Sequence, residues 1–212
     1  EAIQFYSNYS EYTVLYKEKE LGSVRIQLPG IHNVKNSLAA IGIGIELEMP
    51  FKDIKLGVEQ FSGVNRRFEI KGEKNHIIVV DDYAHHPTEI QATLQGAKRG
   101  WNKRTVAIFQ PHLYSRTRDF YKEFGKSFFD SDILIITDIY PAREEPIEGI
   151  TGELIANAAR EYGHRHVEYI PDKHQVVKHL HDIVHENDMV ITLGAGDINK
   201  FGAQFLSELQ NS

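Results

Sequence analysis

Ile77-Ile78-Val79-Val80-Asp81-Asp82-Tyr83-Ala84-His85-His86-Pro87 is the stretch on which the fold turns. Four consecutive apolar residues with no polar alternation mark a strand covered on both faces, as in a parallel sheet. Pro87 then opens a helical pattern that runs to about Arg99. The rhythm repeats downstream. Thr105–Phe109 reads as strand and Arg116–Phe129 as helix, followed by Ile133–Thr137 and Gly152–Tyr162 in the same order. His166–Ile170 precedes a helix over Lys173–His185, and Met189–Leu193 precedes one over Asp197–Leu209. Five strand–helix units in a row predict an α/β domain from about residue 65 to 212, a parallel sheet with helices on both faces.

Upstream the pattern differs. Tyr12, Val14 and Tyr16 alternate with polar residues, as do Val24, Ile26 and Leu28, and the polar run from Lys17 to Gly22 suits a hairpin turn. Val34, Leu38, Ile41 and Ile45 recur at helical spacing until Pro50, and a shorter helix is expected over Lys52–Gln60. Ser62-Gly63-Val64-Asn65-Arg66-Arg67 interrupts the pattern. Residues 1 to about 64 therefore read as a separate body, beginning in mid-pattern and expected to be the tail of a larger domain.

A formal net charge of −6 argues against a general nucleic-acid binder, which needs a basic excess. The absence of cysteine excludes disulfides, thiolate zinc sites and a cysteine nucleophile, and it suits a reducing compartment. No apolar run approaches the ~20 residues of a membrane-spanning helix.

Polar clusters follow the strands, where open parallel sheets bind ligands. They are Asp81 to Pro87, Gln110 to Arg116, Asp138 to Glu145, and Gly194-Ala195-Gly196-Asp197. Each has an ordinary reading as well. Asp81 or Asp82 can cap the next helix. His112 alone is an unremarkable packed or surface histidine, and Arg143 sits among Glu144, Glu145 and Glu148 as a surface ion pair would. The glycine turn serves close strand–helix packing about as well as a phosphate. His85 and His86 are adjacent, so they would not share a face of a helix, and no metal site is assigned. Arg116 lies near a helix start, where a cation opposes the macrodipole, which favours an anion beside it. In the first body His32, Asn33 and Asn36 gather at a helix entrance, either capping it or offering amides to a base or sugar edge. Arg66-Arg67 is either a solvated hinge or a clamp on a phosphate.

Taken together these stretches resemble the Mur ligase family. The resemblance is carried by His32-Asn33-Val34-Lys35-Asn36-Ser37-Leu38-Ala39-Ala40, Gly63 to Glu69, Asp81 to Glu89, Phe109-Gln110-Pro111-His112 through Arg116-Thr117, Tyr140 to Glu144, and Gly194 to Asp197. It covers nearly the whole chain. It implies a Rossmann-like ligase domain over 65–212, preceded by the end of a central ATP-binding domain over 1–64. It further implies an ATP- and Mg2+-dependent cytoplasmic ligase that joins L-alanine to the carboxylate of UDP-N-acetylmuramate through an acyl phosphate, in peptidoglycan precursor synthesis. A murein-tripeptide ligase of cell-wall recycling and a non-catalytic nucleotide-binding module stand as alternatives. A dehydrogenase is disfavoured, because the strand at 77–80 is not followed by Gly-x-Gly-x-x-Gly. The family's Gly-Lys-Thr/Ser phosphate loop has no counterpart. Gly125-Lys126 lies inside an expected helix, so the chain alone is expected to be inactive without its own amino-terminal domains. By motif position, Asn33 and Asn36, with His32 beside them, would contact the adenine. Arg67, with Arg66, would reach the nucleotide, and Asp82 the ribose. Tyr83, His85, His112, Arg116 and Arg143 would line the amino-acid and muramoyl end, with His85 and Arg116 catalytic and Arg116 on the alanine carboxylate. Many relatives carry arginine directly after Pro-His. Here Leu113 stands there, leaving a one-arginine grip unless Arg118 or Arg143 compensates.

Overall fold

A computed structural model describes residues 2–6, 9–61 and 64–211. Ser62 and Gly63, at the start of the interruption between the two bodies, lie outside the described residues. The chain divides into two compact units, residues 1–64 with 99–102, and residues 65–98 with 103–212.

The first unit is a three-stranded antiparallel sheet, β1 (Gln4–Phe5), β2 (Ser10–Tyr16) and β3 (Lys19–Ile26), with two helices, α1 (Ile31–Glu46) and α2 (Phe51–Gln60). The period-2 residues Tyr12, Val14, Val24 and Ile26 meet the helical residues Val34, Ile41 and Ile54 in one core. Gly44 is a packing glycine, since a Cβ there would lie 2.8 Å from Ile54.

The second unit carries a six-stranded sheet. Its strands are β4 (Glu69–Lys74), β5 (Ile77–Asp82), β6 (Thr105–Phe109), β7 (Ile133–Ile136), β8 (Val167–Tyr169) and β9 (Met189–Leu193), in the spatial order β4-β5-β9-β6-β7-β8. The five predicted strands pair in parallel. The last in sequence inserts between the first two, so β5, β9 and β6 are buried along their whole length. That position demands the unbroken apolar runs seen in the sequence. β4 is an addition to the sequence reading. It pairs antiparallel with β5 and has no buried residue and four charged ones among its six, which suits a sheet edge.

The helices are α3 (Pro87–Gly100), α4 (Tyr114–Gly125), α5 (Glu153–Glu161), α6 (Val176–Ile183) and α7 (Asn199–Asn211). The expected helix over Lys173–His185 is shorter than predicted, because a 3-10 turn occupies Lys173–Gln175. One sheet face buries Val79, Val106, Ile108, Ile135 and Val190 against Val176, Leu180, Phe201 and Phe205 of α6 and α7. Residues pointing the other way include Phe109, whose ring lies 5.3 Å from Phe124 and 5.4 Å from Phe128. No helix is long and apolar enough to cross a membrane among the described residues.

Candidate active site

Strand register brings the polar loops together. Asp82 is level with Leu193, Leu193 with Phe109, and Phe109 with Ile136. The segments that follow all leave at the carboxyl edge of the sheet. A parallel bridge between His112 and Tyr140 ties two of them beyond β6 and β7. The Leu113 N–H donates to the Tyr140 carbonyl at 3.0 Å, and the Tyr140 N–H to that of Pro111 at 2.8 Å.

β5 ends in two carboxylates that the pleat sends to opposite faces. Asp81 is 2% exposed. It accepts from Arg66 Nε at 2.9 Å and from Thr192 Oγ1 at 2.7 Å. The other two guanidinium nitrogens of Arg66 donate to the carbonyls of Gly194 (2.6 Å) and Gly196 (3.1 Å). Asp82 accepts from the N–H of Phe68 (2.9 Å) and Ala84 (2.8 Å) and from Thr93 Oγ1 (3.1 Å). Burial pushes its carboxyl upward, against the lowering effect of those donors. The sequence places Arg66 and Asp82 at a nucleotide, and the geometry turns both inward. Arg66 clamps the glycine turn to β5, and Asp82 fixes the Phe68 and Ala84 backbones. Neither side chain offers its polar atoms to a ribose or phosphate in this arrangement. Arg67 does. It is exposed, 3.6 Å from Glu89 and beside the Tyr83 ring at 5.8 Å.

The start of α3 holds the two histidines apart. The Glu89 carboxylate accepts from the backbone N–H of His85 (3.0 Å) and His86 (3.2 Å), while the Glu89 N–H donates to the His86 carbonyl at 3.0 Å. This is a reciprocal helix cap with proline at the first helical position. The His86 ring lies against Phe120 at 5.5 Å. The His85 ring sits between Tyr83 (5.2 Å) and His112 (5.9 Å), with Nδ1 2.9 Å from the Tyr83 carbonyl and 3.3 Å from Glu89.

Arg116, in the first turn of α4, is half-buried, with Nη1 3.5 Å from the His85 carbonyl and 3.5 Å from His112 Nδ1. Contacts that long leave the guanidinium with donors to spare. The His112 ring stacks on Tyr140 at 5.9 Å. Burial, with Arg116 and His85 beside it, holds His112 below the usual imidazole range, so it is neutral at pH 7. The Ser115 N–H donates to Glu144 at 2.9 Å, which sets an anion at the helix start and holds the loop that carries exposed Arg143. Leu113 has φ 74° and ψ 135°, a costly conformation for a residue with a side chain. Its N–H is bonded to Tyr140, and its carbonyl accepts from Thr117 N at 3.1 Å and Oγ1 at 3.0 Å. Arg118 pairs with Asp119 at 2.7 Å on the exposed face of α4.

The glycine turn is a packing element. A Cβ on Gly194 would lie 2.7 Å from the Gln110 carbonyl, and one on Gly196 would lie 2.8 Å from the Tyr140 ring. Asp197 is held by Lys173 at 2.6 Å and Gln110 at 3.2 Å. Glu89, Gln110, Tyr140, Glu144 and Lys173 thus shape the site without having been singled out from the sequence. Only Glu89 carried a local signal there, a glutamate three residues after the cap position behind a proline. In the first unit, Asn33 Nδ2 donates to the Pro29 carbonyl at 2.7 Å, leaving its oxygen for another donor. Asn36 is exposed and His32 half-buried on the same helix.

An arginine, two histidines and a tyrosine thus stand at the carboxyl edge of a Rossmann-like sheet. Residues 66–196 match the family described as the Mur ligase, glutamate ligase domain, and the chain belongs to that family. It is 51% identical over 197 residues to the UDP-N-acetylmuramate–L-alanine ligase of Geotalea daltonii, covering 93% of this chain and 43% of that protein. It is 48% identical over 203 residues to the enzyme of the same name from Salinibacter ruber, covering 95% and 43%. Its fold is similar to the UDP-N-acetylmuramate–alanine ligase of Thermotoga maritima, with TM-score 0.84 and 28% identity over 100% of this chain and 45% of that one. A murein peptide ligase from Psychrobacter arcticus is similar at TM-score 0.69 and 26% identity, over 100% and 44%. The chain thus spans less than half the length of these relatives.

Proposed function

We propose that this chain is the carboxyl-terminal portion of a cytoplasmic ligase that joins L-alanine to the carboxylate of UDP-N-acetylmuramate at the expense of ATP, in peptidoglycan precursor synthesis. On this reading residues 1–64 end a central ATP-binding domain, and 65–212 form the ligase domain. The observation that carries it is Arg116, half-buried and unsaturated, beside His85 and His112 at the carboxyl edge of the sheet, with Tyr83 behind His85. ATP would supply the phosphoryl group that turns the muramoyl carboxylate into an acyl phosphate, with Mg2+ screening the phosphates.

Each residue has a specific part. Arg116 pairs with the alanine carboxylate through its free donors. His112, neutral and stacked on Tyr140, walls the amino-acid pocket with Tyr83, and Arg143 lies on the loop toward the muramoyl end. Arg67 fits a phosphate, being an exposed guanidinium only loosely tied to Glu89. On α1, Asn33 and Asn36, with His32 beside them, fit a base edge. Arg66 and Asp82 act through the backbone they hold. Among the described residues no group of three or more His, Asp or Glu is placed to hold a metal, and no residue here is assigned to Mg2+. Catalysis by these groups is positioning plus cations set where negative charge develops.

The test is ADP release by the full-length protein. The reading expects release that depends on both UDP-N-acetylmuramate and L-alanine. Release that responds to a murein tripeptide in place of L-alanine would reassign the substrate, and release indifferent to either acceptor would end the reading.

A further inference from the structure

We propose that Glu89 is a positioning residue that holds His85 with its proton on Nδ1, leaving Nε2 as the base for the α-ammonium of the incoming amino acid. The proposal rests on the ligase reading above.

The tautomer follows from the neighbours. His85 Nδ1 faces the Tyr83 carbonyl at 2.9 Å and the Glu89 carboxylate at 3.3 Å. Both are acceptors only, so this nitrogen must carry hydrogen, and the lone pair of the neutral ring falls on Nε2. His112 is arranged the other way. Its Nδ1 faces Arg116 Nη1, a donor only, so Nδ1 accepts and the proton sits on Nε2. Of the two imidazoles beside Arg116, His85 alone has both a free lone pair on the outer nitrogen and a carboxylate behind the inner one.

That carboxylate is fixed and ionised. Although burial opposes ionisation, the His85 backbone N–H, the His85 ring and Arg67 hold Glu89 below the usual carboxylate range. Among the described residues, the charged and titratable groups facing His85 are Tyr83 on its own loop, Glu89 of α3 with Arg67 behind it, and His112 and Arg116 from the β6–α4 segment. An amino acid whose carboxylate rests on Arg116 carries its nitrogen one carbon away, alongside the imidazoles.

An ammonium has no lone pair and must lose a proton before it can attack. The proton passes to His85 Nε2, and the imidazolium is stabilised by Glu89. The freed amine pair forms the C–N bond to the acyl phosphate carbon. The C–O bond to phosphate breaks, and phosphate leaves with that electron pair and takes the second nitrogen proton.

Glu89→Gln keeps the helix cap, since glutamine serves at that position too, but removes the charge behind His85. In the full-length enzyme it should lower kcat/KM for the amino acid by about tenfold or more, part of the roughly 10²–10⁴-fold a full acid–base group contributes. His85→Ala should lower the same parameter at least as far. Hydroxylamine, uncharged at neutral pH, traps the acyl phosphate without needing a base. The ratio of hydroxamate to amide should therefore rise at least tenfold in both variants. Hydroxamate and amide falling in step in Glu89→Gln overturns the proposal. A parent enzyme that forms neither product from acceptor and ATP overturns the ligase reading itself.

Discussion

Arg66→Ala separates two adjacent arginines that the sequence treats alike. Arg66 is the sole cation paired with Asp81 among the described contacts, and the side chain of Asp81 is 2% exposed. Removing it leaves a carboxylate in the sheet with one hydroxyl donor, Thr192, at 2.7 Å. Breaking a buried pair from one side costs about 3–5 kcal/mol, mostly the penalty of the charge left behind. The carbonyls of Gly194 and Gly196 lose their guanidinium donor as well. For a chain of this size each kcal/mol moves Tm by about 2–4 °C, so a loss of about 3 kcal/mol lowers it by roughly 6–12 °C. The assay is urea and thermal unfolding of this chain followed by far-UV circular dichroism, with Asp81→Asn and the double variant completing a cycle. The double variant should fall short of the summed losses by at least about 1 kcal/mol. Arg66→Lys should recover little, because one ammonium cannot span three acceptors in the geometry of a fork. An Arg66→Ala chain within about 1 kcal/mol of the parent, or a strictly additive cycle, would refute the clamp. Arg67→Ala should leave unfolding within about 0.5 kcal/mol of the parent, as surface substitutions do.

Arg116→Ala in the full-length enzyme should raise KM for L-alanine at least about tenfold, the worth of a charge-assisted hydrogen bond, and an unchanged KM would remove it from the carboxylate. Gly196→Ala should destabilise the second unit by about 1–3 kcal/mol, since its Cβ would press on the Tyr140 ring at 2.8 Å, and equilibrium unfolding reads this directly. Acid should weaken the fold through His164, which is held neutral: its Nε2 bonds Ser131 Oγ at 3.1 Å and its Nδ1 accepts the His166 N–H at 3.3 Å. Burial and nearby His166 lower its affinity for a proton, so below pH ~6.5 the unfolded chain binds a proton that the folded chain refuses. Stability should thus fall with pH below that point, and fall less steeply in His164→Gln, as urea titrations across the range would measure.

The parallel core was readable because β5, β6 and β9 are buried along their length, and only near-continuous apolar segments survive there. β4 was not readable. Its residues Glu69, Lys71, Glu73 and Lys74 are those of a solvated edge, and its place depends on antiparallel pairing with β5 around the irregularity between Ile70 and Gly72. The loops that carry the site were legible for a related reason: they follow strands whose period is plain, and parallel register sends them to one edge.

The finer division of labour was hidden because it lies within doublets. Asp81 and Asp82 differ only by the pleat, which turns one to Arg66 and Thr192 and the other to Phe68, Ala84 and Thr93. Arg66 and Arg67 differ by a turn in which Arg66 and Phe68 take φ of 62° and 47°, and by a partner 128 residues away, the Gly194 carbonyl. His85 and His86 differ by the helix start, which Pro87 and Glu89 fix between them. In the arginine doublet Arg66 holds the glycine turn while Arg67 faces outward, whereas Asp81 and Asp82 are both buried and both hold neighbouring groups. The Asp81–Arg66 clamp and the Glu89 cap thereby hold the segments from which Arg67 and His85 project. A substitution at Arg66, Asp81 or Asp82 should therefore register first in stability, whereas one at exposed Arg67 should leave the fold intact.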